Sequence, residues 1–241
     1  MNSTTSTRTV DREQCERCVH YHMCQGTAAP DQIPGQRIRV SRHESLYRQG
    51  DLVDNSIYSI RSGSFKIVGA GVARPEQIVG FALAPEFIAL NAMGQVVHQS
   101  SAVALEDSEV CRITWQRQAF KGRRQPLQRV SLHALMSAEL RRSQQQALMT
   151  RNTQAGQRLA ALMLGLSEHH ASRGYAAGAF RLPMSHGDIA NYLGVTAECV
   201  SRLILHFKQQ GILELRRHDV ELLDMDALRG LVQDCTARKA A

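Results

Sequence analysis

Forty-four residues near the C-terminus, RLPMSHGDIANYLGVTAECVSRLILHFKQQGILELRRHDVELLD (181–224), constrain the fold of this chain more than any other stretch. Ser185 and Asp188 form an S-x-x-D capping signature, followed by Ile189, Ala190 and Leu193 on one side of a short helix. Gly194 stops that helix, because glycine takes the left-handed conformation there without strain. Thr196 is then a good N-cap for a second helix running to about Gln209. The small Ala190 and the apolar Val195, Val200 and Leu203 are placed to let two helices cross closely around a short turn. Beyond Gly211, ILELRRHDVELLD reads as two short strands around a polar turn at Arg217–Asp219. The expected unit is a helix-turn-helix with a β-wing.

In such a unit the second helix enters the major groove of DNA. Glu198, Ser201 and Arg202, near the N-terminal end marked by Thr196, are the residues placed to reach base edges. Arginine can read guanine O6 and N7 with two hydrogen bonds, glutamate can accept from cytosine N4, and serine is permissive. Plainer roles exist: Glu198 could complement the helix dipole and Arg202 could touch phosphate. Cys199 is expected to pack inward as a small hydrophobe.

The text before this unit has two other textures. From Gly35 to Ile113, short β-branched or apolar runs are punctuated by Gly50-Asp51, Ser62-Gly63 and Gly69–Gly71, which predicts an antiparallel roll or barrel of about eighty residues. From Pro126 to about Thr150 there is no glycine, nor any further proline, and helix formers dominate. Arg129, His133, Met136, Leu140, Ser143 and Ala147 fall at alternating spacings of four and three, a heptad seam. Only Met136, Leu140 and Ala147 are apolar, so the seam is weak; one face of the helix is expected on the roll and the seam on a partner helix. TQAGQRLAALMLGLSEHHASRG then reads as a helix with Leu159, Leu162, Met163 and Leu166 on one face. The fold class is α+β. Its parts are an N-terminal arm (1–34), a cyclic-nucleotide-binding-like roll (35–125), a dimerisation helix (126–151) and a winged helix-turn-helix domain (152–241).

The net charge of +7 and pI near 9.4 favour an anionic partner, with double-stranded DNA the first candidate. Arg112 to Arg142 holds eight Lys or Arg against the single acid Glu139, a basic stretch that is either a binding face or a solvated one. No window approaches the roughly eighteen apolar residues of a membrane span, and MNSTTSTRTVDREQ lacks the apolar core of a secretory signal. It reads as a flexible polar arm on a cytoplasmic protein without membrane attachment. No phosphate loop, nucleophile elbow or paired-carboxylate site suggests an enzyme.

QCERCVHYHMCQG (14–26) packs three cysteines and two histidines into ten residues. In a reducing compartment clustered cysteines are more often metal ligands or redox sensors than disulfides. By itself the cluster leaves a metal site, a thiol–disulfide sensor and bystander histidines (His20, His22) all open, and Cys235 has no assigned role.

The whole order resembles the CRP/FNR family of bacterial transcription regulators, and most closely its oxygen-sensing fumarate–nitrate reduction branch. The likeness runs from Cys15 to Asp226; HGDIANYLG matches that branch's RGDIGNYLG-type text, and its E-x-x-S-R motif stands as Glu198, Ser201 and Arg202. The resemblance implies a homodimer on TTGAT-like palindromic half-sites and contacts with RNA polymerase, with Gly71–Glu76 a candidate contact turn. It further implies a [4Fe-4S] cluster on three cysteines spaced C-x2-C-x5-C, here Cys15, Cys18 and Cys24, with Cys111 as the fourth ligand. Zinc on three cysteines plus His20, His22 or Cys111 is the alternative cofactor, giving a constitutive DNA-binding module. A sensor of another small molecule or haem on the same scaffold is the third reading.

Three departures from the family matter. QGTAAPDQIPGQ, after the third cysteine, is shorter than in the branch it resembles and is interrupted by Pro30 and Pro34. Ser143 stands where that branch places a seam carboxylate, so a cluster-free dimer is expected to be less disfavoured. Ser100 stands where cyclic-nucleotide-binding relatives place an arginine, so no cyclic nucleotide is expected.

Overall fold

The computed structural model describes residues 7–9, 35–70, 76–114, 134–141, 143–144 and 154–237. The chain divides into two compact units, residues 1–140 and 141–241. The division falls inside the stretch 126–151 read above as one helix; of that stretch, 134–141 and 143–144 are described and are helical.

The first unit is the expected antiparallel roll. Its strands are β1 (Thr7–Thr9), β2 (Gly35–Val40), β3 (Ser45–Tyr47), β4 (Ser56–Ser62), β5 (Ser64–Gly69), β6 (Gln77–Leu83), β7 (Phe87–Ile88), β8 (Ser100–Ala104) and β9 (Ser108–Thr114). One sheet runs β1-β2-β9-β4-β7 and the other β3-β8-β5-β6. Alternation along each strand sends Val40, Tyr58, Ile60, Phe65, Ala102, Ala104 and Val110 into one shared core. The tight β4–β5 hairpin needs Gly63, whose φ is 84° and where an added Cβ would lie 2.1 Å from Ser108 Oγ. The polar start of the chain, read as a flexible arm, contributes a strand instead: Thr7 to Thr9 pair antiparallel with Ile38 to Gln36. The run Thr-Arg-Thr could not announce this, because it depends on β2 offering an open edge.

Residues 134–141 form helix α1. Leu135 packs against the Ile57, Leu90 and Ile113 cluster of the roll, while Met136 and Leu140 are exposed.

The second unit contains α2 (Ala155–Ser172), β10 (Ala179–Arg181), α3 (His186–Leu193), α4 (Ala197–Gln209), β11 (Leu213–Arg216), β12 (Asp219–Leu222) and α5 (Met225–Ala237). Helix α2 buries Leu159, Ala160, Met163 and Leu166, with Leu162 at its margin. The wing is three-stranded, β10-β12-β11, where two strands were expected; β10 pairs through Phe180 with Val220. Its turn is also tighter, two residues, with Arg217 at φ 57°. Helix α5 was not read from the sequence either. Asp224 caps it by accepting from the Asp226 and Ala227 N–H groups at 3.1 and 2.8 Å, and Leu228 is fully buried.

Candidate nucleic-acid interface

The α3–turn–α4 geometry follows from its caps. Ser185 Oγ accepts from Asp188 N–H at 3.0 Å, and Asp188 Oδ2 accepts from Ser185 N–H at 3.1 Å, the reciprocal capping box. Gly194 ends α3 at φ 69°, and Val195 N–H returns to the Ala190 carbonyl at 2.9 Å. Thr196 Oγ1 accepts from Cys199 N–H at 3.2 Å and opens α4. Val200, Ile204 and Phe207 of α4 are buried against the domain, and Cys199 is half-buried.

The opposite face of α4 carries Glu198, Ser201 and Arg202, all exposed. Glu198 is held below the usual carboxylate range by its own backbone N–H, by the Thr196 hydroxyl and by the charge of Arg202. It therefore stays an acceptor at neutral pH. Sequence reasoning missed one partner: His186, from the first turn of α3, has Nδ1 3.1 Å from Ser201 Oγ, so the serine hydroxyl is oriented by a neighbouring helix. Nothing in local spacing announces a contact fifteen residues apart. At the far end, Lys208 Nζ donates to Glu214 Oε1 at 2.8 Å and ties α4 to the wing, whose tip carries exposed Arg216 and Arg217.

In the roll, Cys111 lies on β9 between Arg37 of β2 and Ser59 of β4, and is buried. It stands on the face opposite Val110 and the shared core. Arg61 Nη1 is 4.0 Å from its Sγ. Two residues back, Glu109 is approached by Arg37, Arg39 and Arg61 at 3.6, 3.9 and 3.2 Å. Arg37, Arg39 and Arg61 thus gather around one carboxylate close to the thiol.

A Crp-like helix-turn-helix domain family matches residues 157–231, and a cyclic nucleotide-binding domain family matches residues 37–121. The chain is 36% identical over 229 residues to the transcriptional regulatory protein Btr of Bordetella pertussis, covering 92% of this chain and 94% of that one. It belongs to the CRP/FNR family of transcription regulators. The fumarate and nitrate reduction regulatory protein of Salmonella typhi is 36% identical over 201 residues, 83% of this chain and 80% of its own length. Among solved structures, FixK2 from Bradyrhizobium japonicum shares the fold with a TM-score of 0.72 at 24% identity, over 82% of this chain and 96% of that one.

As a CRP/FNR regulator the chain binds DNA and is not an enzyme. Among the described residues, no helix is long and apolar enough to cross a membrane. Of the cysteines expected to share a cluster, only Cys111 falls among the described residues; Cys15, Cys18 and Cys24 lie outside them, as do Gly71 and the four residues after it. The described residues bring together no group of three or more His, Cys, Asp or Glu fit to hold a metal. Along the expected seam Met136, Leu140 and Ser143 are exposed, while Arg129, His133 and Ala147 lie outside the described residues. In the roll Ser100 is buried, and the rings of Tyr47 and His98 stack with centroids 4.0 Å apart.

Proposed function

We propose that this chain is an oxygen-responsive member of the family, a cytoplasmic homodimer that binds TTGAT-like palindromic sites while Cys15, Cys18, Cys24 and Cys111 hold a [4Fe-4S] cluster. The observation that carries the cluster is the setting of Cys111. Its thiol, the donor type that such a cluster takes, is buried on an inner strand with the Arg61 guanidinium 4.0 Å away, a setting that suits an anionic thiolate assembly. The kinship with a regulator named for fumarate and nitrate reduction points the same way. When bound, the cluster supplies an oxygen-labile link between the cysteine segment and the roll. The seam residues Met136, Leu140 and Ser143, exposed in the single chain, would pair across the two-fold axis. Two copies of α4 then enter successive major grooves about one helical turn apart, with Glu198, Ser201 and Arg202 reading bases and Thr196 at the helix N-terminus facing the backbone. Contacts with RNA polymerase complete the route to activation. Ser100, in place of a phosphate-binding arginine, speaks against a cyclic nucleotide as the input.

Protein purified without oxygen should be brown and bleach in air, and Cys111→Ala should abolish the colour. Colourless protein carrying stoichiometric zinc would overturn the cluster. For the DNA end, Arg202→Ala should cost about 1–3 kcal/mol at one base pair and leave non-specific binding nearly unchanged. A uniform loss across all sequences would make Arg202 a phosphate contact instead.

A further inference from the structure

Helix α4 has one apolar residue on the wrong side. Its large apolar side chains Val200, Ile204 and Phe207 are buried and Leu203 is half-buried, yet Leu205 is 54% exposed. Single exposed leucines are ordinary on protein surfaces; the position of this one is not. Glu198, Ser201, Arg202 and Leu205 follow at spacings of three, one and three, the signature of a single helical stripe. Leu205 stands three residues, or about 4.5 Å along the axis, beyond Arg202 on the face that meets DNA. A leucine there can make no hydrogen bond to a base edge or a phosphate. The major groove presents one apolar feature, the C5 methyl of thymine, and apolar side chains contact it.

We infer that Leu205 is a specificity-determining residue that reads a thymine methyl group next to the base pair addressed by Arg202. The inference rests on the proposed placing of α4 in the major groove and adds a base that the polar residues do not specify. Its energy is that of one methyl group removed from water, so its share of discrimination is about fourfold per half-site. The polar readers set the identity of their own base pairs, and Leu205 extends the site by one pair in which A·T is favoured in a single orientation.

The test deletes only the methyl. The full-length protein first selects its site from a random duplex pool. Each thymine of one half-site is then replaced singly by deoxyuridine, which keeps every Watson–Crick and groove hydrogen-bonding atom. Affinity is titrated at fixed salt for the native protein and for Leu205→Ala, with thermal melting confirming that the variant folds. The native protein should lose about fourfold at one thymine position, and Leu205→Ala should bind thymine and deoxyuridine there equally. The variant should also keep full discrimination at the Arg202-dependent pair. If no thymine position separates the two proteins, or the deoxyuridine penalty persists in Leu205→Ala, the inference is overturned while the groove placement stands. A chain that selects no sequence at all overturns both.

Discussion

Tyr47 and His98 are ring-stacked inside the roll, and burial works on both in the direction of the uncharged form. It raises the Tyr47 phenol well above its ordinary range, pushes Tyr58 up to about 12 with help from the Asp54 carboxylate, and lowers the proton affinity of His98. The unfolded chain titrates an ordinary histidine near pH ~6.5. Below that range the unfolded state takes up a proton that folded His98 resists, so stability is full at higher pH and is lost as pH falls. His170, also lowered by burial, contributes with the same sign. The thermal midpoint should therefore drop between about pH 7.5 and about pH 5.5, and less so in His98→Phe, which keeps the ring stack. Equal drops in the two proteins would remove His98 from the account. At this scale the sequence is an uneven guide. Ser185, Gly194 and Thr196 could be assigned from the text because a cap needs only its own turn. His186 against Ser201, and Leu205 on the outer stripe, emerge only when two helices are packed and their buried faces are known.

The elements divide along the same line. Helices α3 and α4 and the strands β2 to β9, apart from the two-residue β7, carry their own signals, in caps, alternation and turn glycines. Strands β1 and β10 are three residues each and exist because β2 and β12 offer them an edge. Helix α5 is a different case: Asp224 is a capping signal ahead of an apolar Leu228, legible in the text and passed over. The caps themselves have a measurable weight. Thr196→Ala removes the acceptor for Cys199 N–H and should cost the DNA-binding unit about 1 kcal/mol in denaturant unfolding. The same change removes the hydroxyl that hydrogen-bonds Glu198, which stays ionised at neutral pH but is less firmly held. Gly63→Ala, at the hairpin turn, should be costlier, roughly 2–4 kcal/mol, because it combines left-handed backbone strain with a clash against Ser108 of β9.

On the scale of the whole molecule, the open question is how tightly two chains hold together. Ser143 is exposed and helical, at the heptad position that follows Met136 and Leu140 in the sequence, and a serine pair across a two-fold axis brings no repulsion. Cluster-free protein should therefore sediment with a dimer population at micromolar concentration, and Ser143→Asp should weaken that association roughly tenfold. A native chain that is wholly monomeric under those conditions would show that the seam needs more than the absence of like charge. The fold class and the order of parts could be read from the text because each part has a distinct period. The closeness of Cys111 to the helix could not, since it is a matter of which strand face meets α1. Cys111 and Ile113 are two residues apart on one face of β9, and Ile113 belongs to the cluster against which Leu135 packs. The thiol and α1 are thus joined through one pleat of β9 and one apolar cluster. The strand face that presents the thiol is the one whose next residue belongs to the cluster beneath α1.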